Sequence, residues 1–269
     1  MLFIISWVII MSCNSTNGNK IPTVITETKE INKSSKKESM TREYHTVDYI
    51  TGKFLPEERK DFILIPEQFA DRTGMYMRKD AFEAFKKMYQ DAAEDGIMLK
   101  IRSAARNFNY QKSIWENKWM GKRILSDGTN AATDIEDDVE RSLKILEYSS
   151  MPGSSRHHWG TDIDLNSFDN KWFESGEGLK LYQWMQKHAI EYGYCQVYCN
   201  KGNHRSGGYN EEKWHYSFMP ESEGLLAFAN SNLQLKDIAG FLGDHTAGKV
   251  DIINTYIMGI DQRCHKHTD

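Results

Sequence analysis

The chain has 269 residues, 27% of them charged and 39% hydrophobic, with a formal net charge of -4 at pH 7. That length accommodates one sizeable domain with extensions, or two small ones. The balance of charge excludes a nucleic-acid reading, since no basic cluster with interleaved aromatic residues occurs.

Residues 2–11 form an apolar run interrupted only by Ser6. It is too short to span a bilayer but suits the core of a signal peptide. The run ends in Ile10-Met11-Ser12-Cys13, which resembles a bacterial lipobox, although no Lys or Arg precedes it. Cys13 is therefore expected to carry lipid, giving a lipoprotein signal peptide over 1–13 and a lipid-anchored protein of the bacterial cell envelope. Residues 14–43 are mostly polar, with a Lys and Ser run at 33–39, and bury too little apolar surface to fold. They read as a tether, with a folded domain over 44–220 and a helical extension over 221–269.

Within the domain, 49–50 and 62–66 are possible short strands, the second stopped by Pro66. Phe82, Phe85, Met88, Tyr89 and Ala92 recur on one face and predict a helix over 79–94, with Asp95-Gly96 as its stop. A strand is predicted over 97–101, then a helix over 109–120 with Trp115 and Trp119 as a packing pair, then a loop over 121–138. Val139, Leu143 and Leu146 resume a helical face, which Met151-Pro152-Gly153 breaks. Further on come a helix over 178–192 closed by Gly193, a strand over 194–198 and a glycine-containing loop over 200–210. Three short helices follow over 221–229, 235–242 and 250–258. Helices packed with a few strands make an α+β domain with a small, mainly antiparallel sheet.

The chemistry concentrates at two places. His157 and Asp164 lie seven positions apart, which is about 23 Å on a strand and about 10 Å along a helix. Neither element brings them together, so the chain must turn between them, and Gly160 stands where a tight turn is least strained. Beyond it, Thr161-Asp162-Ile163-Asp164-Leu165 alternates like a half-buried strand, aiming Asp162 and Asp164 at one face. A third donor, His215, sits in the aromatic-rich strand predicted over 213–218, with Glu212 three residues before it. Positions three apart face opposite ways on a straight strand, so Glu212 must lie in a bend. Three donors with a fourth position open describe a catalytic zinc site, and Glu212 is then the candidate general base. His158 competes with His157 for the metal. His188, His204, His245, His265 and His267 read as packed or solvated residues.

Ser155-x-His157-x-x-Gly160-x-Asp162-x-Asp164, followed by Glu212-x-Trp214-His215, resembles the signature of VanY-type D-alanyl-D-alanine carboxypeptidases and their L,D-carboxypeptidase relatives. Upstream, Ser103-x-x-Arg106-x-x-x-x-Gln111 resembles the same family, and the three blocks span roughly 81–220. The resemblance implies a Zn2+ ion on His157, Asp164 and His215, which favours His157 over His158, and Glu212 as the catalytic carboxylate. It further implies that Arg106, with Ser103, Gln111 and Ser155, binds the terminal carboxylate or scissile carbonyl of a peptidoglycan stem peptide. Asp162 stands where that pattern usually has a small apolar residue, and reads as a partner of a ligand or as an alternative ligand.

With Cys13 lipidated, Cys195, Cys199 and Cys264 allow at most one disulfide and leave one thiol. Cys195 and Cys199 on one extended strand would be about 13 Å apart, too far to bridge. The first functional expectation is removal of a terminal D-alanine. A peptidoglycan endopeptidase with the same zinc chemistry, and a non-catalytic zinc-dependent wall-binding module, are the alternatives.

Overall fold

The structure, a computed structural model, describes residues 44–265. The expectations about the signal peptide, Cys13, the tether and His267 lie outside the described residues. The described residues form one compact unit.

Four strands make the central sheet: β3 (Ile101–Ser103), β4 (Asp162–Leu165), β5 (Tyr194–Cys195) and β6 (His215–Phe218), in the order β3-β4-β6-β5 with every pair antiparallel. A separate hairpin pairs β1 (Phe62–Leu64) with β2 (Tyr76–Arg78). The longer helices are α2 (Lys79–Glu94), α3 (Phe108–Trp119), α5 (Asp138–Ile145), α6 (Gly176–His188) and α7 (Met219–Asn232), with single turns at α1 (Val47–Ile50) and α4 (Ala131–Asp134). This is the mixed architecture with a small antiparallel sheet that the pattern of elements implies.

Two-residue alternation divides the labour of the sheet. Ile163 and Leu165 of β4 and Tyr216 and Phe218 of β6 pack with Phe82, Phe85 and Met88 of α2 and Leu181, Trp184 and Met185 of α6 in one apolar core. The intervening Asp162, Asp164, His215 and Ser217 occupy the opposite face. A second core gathers Tyr49, Trp115, Trp119 and Trp159 with Leu225, Ile238, Phe241 and Tyr256. The C-terminal segment thus packs against α3 and the metal loop in a shared core.

Several elements differ from expectation. Tyr49 and Ile50 lie in a helical turn capped by the Thr46 side chain, which accepts from the Tyr49 N–H. The strand expected over 97–101 begins only at Ile101, because Ile97 N–H still bonds to Ala92 O at the end of α2. The strand expected over 194–198 ends at Cys195. In α5 the buried residues are Ser142 and Ile145, whereas Leu143 is exposed; the Ser142 hydroxyl is 2.6 Å from that of Thr246, which makes its burial tolerable. In place of helices over 235–242 and 250–258 there are a single turn at Leu235–Asp237 and a π-helical turn at Ile252–Ile257.

Cys195 and Cys264 form a disulfide and Cys199 is free. The bridge closes a loop of 69 residues, for which cross-linking the unfolded chain contributes about 2–4 kcal/mol. The double variant Cys195→Ser/Cys264→Ser is expected to lose stability of that order. Denaturant midpoints of the oxidised protein and the variant measure it, and equal midpoints would mean the bridge contributes nothing.

Candidate metal centre and its cleft

The loop ahead of β4 is built to present one imidazole. Arg156–Trp159 makes a single helical turn that ends at Gly160 with φ +74. A Cβ there would lie 2.5 Å from the Phe62 ring, so both conformation and space require glycine. Backbone bonds then fasten the turn to the segment after β3, including Arg106 N–H to His157 O at 3.1 Å. His158 belongs to this fastening. Its Nδ1 donates to Arg106 O at 2.5 Å and its Nε2 accepts from Gly153 N–H at 3.0 Å. Both of its ring nitrogens are engaged, and burial pushes its pKa down to about 3.

His157, Asp164 and His215, all buried, converge with their ligand atoms within 4.8 Å of one another. Cross-strand register explains two of them, since Asp164 of β4 pairs directly with His215 of β6. Irregular pairing between Ile101 and Ser103 brings Ser103 opposite Asp164 as well. Glu212 lies in the turn before β6, where His215 N–H bonds to Glu212 O at 3.2 Å. The bend sets Glu212 Oε2 3.5 Å from His215 Nδ1.

The hydrogen bonds determine which nitrogens are available. His157 Nδ1 lies 2.8 Å from Ala104 O, a group that only accepts, so Nδ1 carries the proton and Nε2 the lone pair. That lone pair has no hydrogen-bond partner, yet Nε2 is 3.2 Å from Asp164 Oδ2. On His215, Nε2 lies 2.8 Å from Asp162 Oδ2 and Nδ1 3.0 Å from Asp164 Oδ1. Two imidazoles thus direct a nitrogen each at one carboxylate, spaced about as the edges of a tetrahedron with legs near 2.0–2.1 Å. Such a set could hold a metal ion.

Electrostatics agree. Burial opposes charge on His215, but hydrogen bonds to Asp162 and Asp164 prevail and raise its pKa to about 9. His157 shifts the other way, lowered first by burial and then by the nearby Arg106 charge. Burial would raise Asp162 and Asp164, yet Arg156 for the first and His157 for the second hold them below the usual carboxylate range. Glu212 is pushed up to about 7 by burial, reinforced by the Asp164 charge and moderated by His215 and Arg106.

The centre lies at the base of a cleft of about 900 Å³. Arg106 Nε, Ser155 Oγ and His157 Nε2 are buried without hydrogen-bond partners, and all three residues line the cleft. Unpaired polar atoms around one cavity mark a site for a polar ligand. Ser103 also lines it. Gln111 is not among the lining residues: it is buried in α3, where its Nε2 donates to Ser150 O at 2.7 Å and its Oε1 has no hydrogen-bond partner. Lys118 and Tyr209 are among the lining residues that the sequence did not mark. Lys118 hydrogen-bonds to Ser149 Oγ, and burial together with Arg123 and Arg106 lowers its pKa to about 8. Tyr209 sits in a glycine-containing loop with no pattern to reveal it. His188 pairs with Glu191, His245 with Asp138 at 3.2 Å and His265 with Glu223 at 3.9 Å, all away from the centre.

Comparison with known proteins adds lineage to this geometry. Among curated proteins the chain is 28% identical over 147 residues to YodJ of Bacillus subtilis (strain 168), provisionally named a carboxypeptidase. That alignment covers 54% of this chain and 46% of YodJ, so the chain matches about half of that relative's length. It is 29% identical over 108 residues to an uncharacterized protein of Haemophilus influenzae, covering 39% of this chain and 70% of the other. Among solved structures it is similar to the LdcB LD-carboxypeptidase, with TM-score 0.46, 20% identity, and coverage of 72% of this chain and 79% of that one. It is also similar to VanYB in complex with D-Alanine-D-Alanine, with TM-score 0.47, 16% identity, and coverage of 66% and 87%. The family model described as VanY, D-alanyl-D-alanine carboxypeptidase, matches residues 74–221, a stretch that contains all three candidate ligands and Glu212. With more than half of its length inside that match, the chain belongs to the VanY family of carboxypeptidases.

Proposed function

We propose that the protein is a zinc-dependent carboxypeptidase that removes a terminal D-alanine from peptidoglycan stem peptides. The observation that carries this reading is the pair of imidazole nitrogens directed at Asp164, with Glu212 3.5 Å from one of them. His157 Nε2, His215 Nδ1 and Asp164, which line the cleft, would hold the ion. Zinc in such a site lowers the pKa of a bound water to about 7 and polarises a carbonyl. Glu212, whose carboxyl is raised by burial, would take a proton at its carboxylate and return it to the leaving amine. Arg106 offers a planar fork for the peptide's terminal carboxylate, and Ser155 and Ser103 add hydroxyls to the same wall. Export to the envelope with anchoring at Cys13 forms part of the proposal. The Cys195–Cys264 bridge supports export, because disulfides persist in oxidising compartments.

Incubating the protein with defined muropeptides and weighing the products tests the reading. Loss of a single alanine is expected. Fragments from cleavage inside the stem would replace it with an endopeptidase, and intact substrate in the presence of bound zinc would leave a wall-binding module. For Arg106→Lys, a fall of about 10–100-fold in kcat/KM is expected, the worth of a charged hydrogen-bond pair, with zinc content unchanged. Unaltered kinetics would remove Arg106 from substrate binding.

A further inference from the structure

We propose that Asp162, held in place by Arg156, is a positioning residue that fixes the proton on His215 Nε2 and so directs Nδ1 at the metal. This rests on the metal reading above.

Asp162 is inaccessible to solvent, and its carboxylate is fully engaged. Oδ2 accepts from Arg156 Nε at 3.1 Å and lies 2.8 Å from His215 Nε2. Oδ1 accepts from Thr161 Oγ1 and from Ser217 Oγ, both at 2.7 Å. Arg156 Nη2 in turn donates to Ser217 Oγ at 2.7 Å, and its guanidinium stacks 4.4 Å from the Trp159 ring. Register makes the arrangement specific, because Asp162 and Ser217 are directly paired on β4 and β6, two positions along from the Asp164–His215 pair. The His215 ring therefore stands between two carboxylates of one strand. Asp164 and Glu212 approach its Nδ1, and Asp162 approaches its Nε2.

Two alternatives follow from the same residue and can be weighed. Asp162 is not a ligand, since it meets the edge of the imidazole opposite the one that faces the metal position. A buried Arg156–Asp162 pair with no further role is poorly justified, because ion pairs in protein interiors contribute little beyond an apolar pair of the same shape. Under a metal-ligating histidine the pair has a clear use. A carboxylate on the far nitrogen orients the ring, fixes its tautomer and strengthens it as a donor.

The test compares zinc affinity, by competition with a chromophoric chelator, in the wild type, Asp162→Ala and the double variant Asp162→Ala/Arg156→Met. Asp162→Ala is expected to weaken zinc binding about 10–100-fold. Because it strands a buried guanidinium, its metal-free unfolding temperature is expected to fall. The double variant removes that charge, and its unfolding temperature is expected to return toward wild type while the affinity loss persists. Restored stability accompanied by wild-type zinc affinity would overturn the proposal and leave a merely structural pair. A second readout needs no variant: long-range 1H–15N spectra of the zinc-loaded wild type are expected to show His215 protonated at Nε2, and a bare or metal-bound Nε2 would overturn it. Wild-type protein that takes up no zinc would instead defeat the metal reading itself.

Discussion

Glu212→Gln is expected to keep zinc at one ion per chain while lowering kcat about 10²–10⁴-fold, the usual contribution of a positioned acid–base group. The substitution preserves shape while removing the carboxylate's charge and its ability to exchange a proton. Glu212 suits the role by environment. It is buried with Oε2 3.5 Å from His215 Nδ1, and burial aided by the Asp164 charge raises its pKa above the ordinary carboxylate value. Zinc content and turnover are measured on the same preparation. Full activity in Glu212→Gln would show that another group moves the proton, and loss of zinc would make Glu212 a ligand.

Asp164→Ala is expected to have the largest effect on the metal, weakening zinc by more than the roughly 100-fold that even outer partners of a metal site cost. The carboxylate is the only anion among the three donors, and both imidazole nitrogens are directed at it. Without it two neutral rings would face a divalent ion. His157→Ala and His215→Ala are expected to abolish stoichiometric zinc in the same way, while His158→Ala should retain the metal and lose stability, since its ring ties Gly153 to Arg106. Chelator competition and thermal melting together separate these outcomes. A His158→Ala protein that is stable yet metal-free would reverse the assignment of the two histidines.

The parts of this site that were legible in the sequence are those set by short-range geometry. Alternation over residues 161–165 put both aspartates on one face because side chains on a strand repeat every two residues. The need for a turn between His157 and Asp164 pointed to Gly160, which adopts the left-handed conformation against Phe62. Spacing also required Glu212 to sit in a bend, which is where it lies. What was not legible depends on contacts between distant segments. Whether Asp162 is ligand or support depends on which edge of the His215 ring it meets, and that follows from the β4–β6 register. The partner of Cys195, 69 residues away, carries no local signal. Ser142 displaces Leu143 from the buried face of α5 because Thr246 satisfies its hydroxyl. Gln111 matched the expected block yet its Nε2 turns to Ser150 O, whereas Lys118 and Tyr209, which no local pattern marked, line the cleft.

The most direct measurement is an anomalous difference map, recorded on either side of the zinc absorption edge, from crystals grown with the ion. A single peak bonded to His157 Nε2, His215 Nδ1 and Asp164 is predicted, with Glu212 and Arg106 facing it across the cleft. A peak on His158 or Asp162, or zinc bound only at surface pairs such as His245 and Asp138, would contradict the account.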